Sequence, residues 1–137
     1  MSRYLPVILT LRTLGVIDMV AFVAVVMPAT WIQLGHETAG LGEFPTAPIA
    51  GYLARSASAL YGLHGMMVFY MSFRVARYWE LIRLMAILAL FHGLVMLVID
   101  LAEGMPNWWT IVEAPGFAAT GASVLLAQYL SVARHNE

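Results

Sequence analysis

The chain has no cysteine and no lysine among its 137 residues, and charged residues make up only 11% of it. Without cysteine there is no disulfide, no thiolate metal site and no thiol nucleophile. A soluble domain carries about a quarter charged residues, so a surface facing water could not be covered from this inventory. Net charge is −1, and no basic patch with interleaved aromatics is present, which argues against a nucleic-acid partner. Paired carboxylates at glycosidase or protease spacing, nucleophile elbows, phosphate loops and HExxH-type signatures are also missing. No catalytic residue and no metal site are assigned.

What fills the chain instead is apolar: 61% hydrophobic residues and a mean hydropathy of +0.80. Runs of about 20 such residues cross the hydrocarbon layer as helices, and four are expected, at about 14–34, 49–73, 81–101 and 109–133. The basic start at Arg3 and Arg12 followed by an apolar run is read as a retained helix rather than a secretory signal. Pro28 should kink or end it. Gly35, Gly40, Gly42, Pro45 and Pro48 mark the longest loop. A tight turn follows at Arg74, Arg77, Tyr78, Trp79, Glu80 and Arg83. Asp100, Glu103, Gly104, Pro106 and Asn107 form the last connection. Pro115 is expected near the first turns of the final helix, where proline is tolerated.

Arg3, Arg12, Arg74, Arg77, Arg83 and Arg134 would fall on one side of the membrane, with Arg55 alone on the other. Positively charged loops stay in the cytoplasm, so both termini are expected there. Tryptophans and tyrosines mark the same two boundaries. Helices in lipid associate through small residues, which the second span (Ala54, Ala57, Ser58, Gly62, Gly65) and the fourth (Gly116 to Ser123) supply. The expected fold is all-α: a single domain forming an up-down-up-down four-helix membrane bundle.

Ionisable groups inside a membrane are costly and therefore candidates for function. Leu60–Met67 and Leu88–Val95 each hold one His-Gly step, and the arginine turn lies midway between them. At about 1.5 Å per residue, His64 and His92 would sit at one depth, roughly 20 Å from that turn. Two such imidazoles could ligate a b-type haem; the plainer expectation is a hydrogen bond from each to a neighbouring helix. Arg55, Asp100 and Glu113 would lie at one level near the outer surface, as a clamp between three helices or a site for a polar or anionic ligand. Asp18 should pair with Arg12 or Arg83, the alternative being a proton relay.

With four spans in under 150 residues, Tyr52-Leu53-Ala54-Arg55-Ser56 opening the second span, and Asp100 followed by Gly104-Met105-Pro106, the chain resembles the small bacterial four-helix membrane proteins that include the DoxX-like group. The resemblance implies that fold and a multi-pass place in the bacterial inner (plasma) membrane. The expected function is a non-enzymatic accessory or interaction subunit, or a binder of a lipid-like ligand, with membrane lipids, other membrane chains or further copies of itself as partners. The alternatives are a haem b redox protein using His64 and His92, and a small transporter with its polar site at Arg55, Glu113 and Asp100.

Overall fold

The computed structural model describes residues 3–133; Arg134, counted above among the one-sided arginines, lies outside them. The regular secondary structure of the described residues is all helical, with no strand. The helices run in the order α1 (Leu5–Val20), α2 (Phe22–Val26), α3 (Ala29–Thr38), α4 (Pro48–Met71), α5 (Trp79–Glu103) and α6 (Asn107–Ala133). Three apolar helical stretches among the described residues are long enough to cross a membrane: Leu5–Val26, Trp79–Glu103 and Asn107–Ala133. Helix α4 has the length but not the hydropathy. Arg55, Ser56, Ser58, Tyr61 and His64 make it the most polar of the long helices.

The first apolar helix differs from the sequence expectation. It begins at Leu5, because Pro6 falls in its first turn, where a missing N–H costs nothing. It ends at Val26, and Met27 turns extended at ψ 140° before Pro28, the conformation that a following proline favours. The residues beyond Pro28 form the separate α3, which buries no side chain. Pro115 lies inside α6, deeper than expected, and so leaves the carbonyl of Ile111 without its helical donor. Helices α4, α5 and α6 run close to where the apolar runs placed them.

The chain divides into two compact units, one holding residues up to Leu14 and from Val68 onward, the other Gly15–Met67. In the first, Val7, Leu11, Val68, Met71, Val75, Ile82, Ala86, Val124 and Ala127 form the core. The core sits at the end that carries the arginine turn. There Tyr4 meets Trp79 with ring centroids 5.8 Å apart, and Arg12 Nε donates to buried Ser72 at 3.3 Å. Gln128 donates to the Trp79 carbonyl at 2.9 Å, which fastens α6 to the start of α5.

Helices α5 and α6 pack as an antiparallel hairpin. Gly104, at φ 67°, caps α5 in the left-handed conformation that glycine adopts without penalty. The N–H of Met105 also bonds to the Asp100 carbonyl, at 2.9 Å. Along the hairpin, a Cβ on Gly93 would come 2.7 Å from the Ala114 carbonyl oxygen, and one on Gly121 would strike that of Ala86. The backbones touch because these two positions carry no side chain, as expected where lipid gives apolar faces no reason to associate.

The second unit is built the same way. A Cβ on Gly62 would lie 2.5 Å from the Phe22 ring, and one on Gly65 2.6 Å from the Gly15 carbonyl oxygen. Gly62 and Gly65 lie one turn apart on one face of α4, so a smooth strip of that helix receives α1 and α2.

Candidate functional site

The ionisable residues singled out above gather into two clusters, one in each unit. In the unit Gly15–Met67, Asp18 does not pair with an arginine. Its Oδ2 accepts from His64 Nδ1 at 2.9 Å. The Gly65–Gly15 contact explains why: with the backbones of α1 and α4 touching, the neighbouring His64 and Asp18 are brought within direct reach. Arg12, the expected partner, instead bonds Ser72 and sets its guanidinium 5.2 Å from the Phe73 ring centroid. A carboxylate can only accept, so Nδ1 of His64 is the donor in this contact. The His64 side chain remains 45% exposed and that of Asp18 28%.

Arg55 belongs to the same unit. Its Nη1 donates to the carbonyls of Val25 and Ala24, at 2.6 and 3.2 Å. These are carbonyls that the end of α2 leaves unpaired. Ala24 would normally receive the N–H of residue 28, and residue 28 is proline. A guanidinium at a helix C-terminus also meets the negative end of the helix dipole. Arg55 therefore ties α4 to α2 as a cap, through backbone oxygens.

The second cluster stands at the α5–α6 hairpin. Trp109 Nε1 donates to Glu113 Oε2 at 2.6 Å, one turn apart on α6. Asp100 stands in the last turn of α5. Asp100 is 2% exposed, and its Oδ2 has no hydrogen-bond partner among the described residues. Beside Glu113 opens a cavity of about 190 Å³ lined by Trp108, Trp109, Val112 and Glu113.

His92 is exposed on α5 and packs edge-on against Phe117, ring centroids 4.4 Å apart. Each His-Gly step thus marks a helix crossing within its own unit. The glycine admits the neighbouring backbone and the histidine engages a side chain of that neighbour, Asp18 for His64 and Phe117 for His92. Among the described residues, no three metal-ligating side chains converge.

Sequence reasoning set Asp100 and Glu113 at one level together with Arg55, which instead bonds the Ala24 and Val25 carbonyls, and gave Asp18 an arginine partner in place of His64. The role of Pro28 in Arg55 binding was missed, although the missing N–H at position 28 was a signal for it. A double-mutant cycle tests the Asp18–His64 contact. Polar contacts between membrane helices couple by about 1 kcal/mol, so Asp18→Ala and His64→Ala should be less than additive by that amount in detergent unfolding. Strict additivity would remove the contact.

The fold and its buried polar contacts define the class: an all-helical protein with helices long and apolar enough to cross a membrane. Comparison with protein-family models, curated proteins and solved structures finds no match.

Proposed function

We propose that this chain is a non-enzymatic integral membrane protein of a bacterial plasma membrane, acting as an interaction subunit that seats a helix of another membrane chain. The observation that carries the reading is the outer face of α6. Gly121, Val124, Ala127, Gln128 and Ser131 are buried, while Gly116, Ala119 and Ser123 are exposed on the other side. A Cβ on Gly116 would meet nothing within 4 Å, so this glycine packs against no described residue. Thr120 and Ser123 return their hydroxyls to the carbonyls of Gly116 and Thr120, at 3.0 and 2.8 Å. The face is then smooth and free of unpaired hydroxyl donors, the surface on which membrane helices pack closely.

The four-helix bundle with cytoplasmic termini remains our reading of the topology. Supporting it, Arg3 and Arg12 share an end of their unit with Arg74 and Arg77, through the Tyr4–Trp79 and Arg12–Ser72 contacts. Helix α5, with 25 residues, is long enough at about 1.5 Å per residue to carry Asp100 and Glu103 to the opposite boundary.

The absence of native cysteine makes the association directly testable. A single cysteine at Ala119 should cross-link in membranes, giving a product of twice the chain's mass if the partner is a second copy and a different mass otherwise. Gly116→Leu should abolish the product while leaving the unfolding midpoint unchanged. A product that survives Gly116→Leu would overturn the assignment of this face.

A further inference from the structure

The end of the first unit that carries the arginine turn gathers positive charge. Arg3, Arg12, Arg74, Arg77 and Arg83 are exposed there, and Glu80 is the only carboxylate between residues 72 and 83. Among the described residues none of the five arginines forms an ion pair. Three of them lie against aromatic rings instead. Arg3 stands 4.4 Å from the Tyr4 centroid, Arg12 5.2 Å from that of Phe73 and Arg77 5.9 Å from that of Tyr78. A ring holds a guanidinium in place but leaves its charge uncancelled.

Arg12 is the best held of the five. Its Nε donates to Ser72 Oγ at 3.3 Å, and Ser72 is 2% exposed, so the guanidinium is anchored at one edge to the core. Its Nη1 and Nη2 donate to no described residue. Four of the five N–H groups of the fork are therefore unused. Exposed apolar side chains flank it: Leu9, one turn back on the same face of α1, and Phe73. A cation among apolar side chains that face lipid is costly unless it is paired. The planar fork matches two oxygens of a phosphate at once. Free phosphate would gain from the charge alone, whereas a lipid phosphate also brings chains to Leu9 and Phe73.

We infer that Arg12, anchored by Ser72 and Phe73, binds the phosphate of an anionic phospholipid headgroup. Arg74, exposed and next in the chain after Phe73, supplies a second cation. The other unpaired arginines set the preference. They attract a headgroup of net negative charge and repel the ammonium of a zwitterionic one. Tyr4, Tyr78 and Trp79 gather at the same end, and such residues ordinarily mark the headgroup level. The site rests on the membrane placement proposed above. It does not use the outer face of α6, whose cross-linking test has a separate readout.

The test offers equal amounts of phosphatidylglycerol and phosphatidylcholine to the full chain in mixed micelles and reads the retained lipid by native mass spectrometry. Phosphatidylglycerol should be retained in several-fold excess. Arg12→Gln should lower its retention about tenfold, the loss of a charge-assisted pair, while the helical circular dichroism stays intact. Arg74→Gln, which breaks no hydrogen bond or ion pair to a described residue, should lower it several-fold. Ser72→Ala keeps every charge but frees the guanidinium, and should also lower it. Arg83→Gln removes the same charge from α5, outside these contacts, and should lower it no more than about twofold in salt. Excess inorganic phosphate should leave the lipid in place. Equal retention of the two lipids, equal losses in Arg12→Gln and Arg83→Gln, or displacement by inorganic phosphate overturns the site. A chain that stays dispersed without detergent overturns it as well, together with the membrane placement beneath it.

Discussion

Gly65→Val is expected to unfold the unit built on α1 and α4, with a loss of about 3 kcal/mol, at the upper end of what overpacking costs. The new Cβ would lie 2.6 Å from the Gly15 carbonyl oxygen, 2.7 Å from the Met19 nitrogen and 2.8 Å from the Asp18 Cβ. Two of those three atoms are helix backbone, which cannot swing aside as a long side chain would. The only relief is to separate the helices. Separation also draws Asp18 away from His64, because their 2.9 Å contact stands immediately beside the crossing. The substitution therefore removes backbone packing and the Asp18–His64 contact together. Gly51→Ala is the matched control: its Cβ meets nothing within 4 Å, and alanine favours helix over glycine by up to about 1 kcal/mol. Unfolding in detergent should show a large fall for the first and none for the second. Equal midpoints would mean that α1 and α4 do not cross at Gly65.

The two glycines that follow histidines show where the sequence could be read and where it could not. A His-Gly step inside an apolar run is visible in the letters, as are the runs themselves, so the helical class and the positions of α4 to α6 followed from composition and breakers. The facing of each step was not visible. It depends on helix rotation, which small residues on several sides of a helix leave open, and the structure settles it through Gly15 in one unit and Ala114 in the other. Asp18 illustrates the same gap. Level in the membrane pointed to an arginine, whereas the backbone contact at Gly65 brings the imidazole of His64 beside the carboxylate. The α1 boundary was misjudged for a different reason. The segment up to Arg12 was placed outside the span, whereas Pro6 is a first-turn residue of α1; Pro28, expected to kink or end the helix, ends it.

Arg55→Ala is expected to cost about 3 kcal/mol, since hydrogen bonds to charged groups contribute about 1.5–3 kcal/mol each and two are lost. The guanidinium meets the Val25 and Ala24 carbonyls at 2.6 and 3.2 Å. In water those oxygens would find another donor, but at this place in an apolar helix they would stay bare. Arg83, exposed beside the turn, provides the comparison, and its removal should leave the midpoint within about 0.5 kcal/mol of the parent. The assigned cause can be tested separately from the size of the effect. If Arg55 is needed because Pro28 withholds an N–H, then Pro28→Ala supplies that N–H to the Ala24 carbonyl and part of the need disappears. Arg55→Ala should then be milder in the Pro28→Ala background than in the parent, by roughly the contribution of one hydrogen bond, about 1 kcal/mol. A full penalty in both backgrounds would show that Arg55 acts elsewhere, and the pairing of a helix-ending proline with an arginine cap would have to be abandoned.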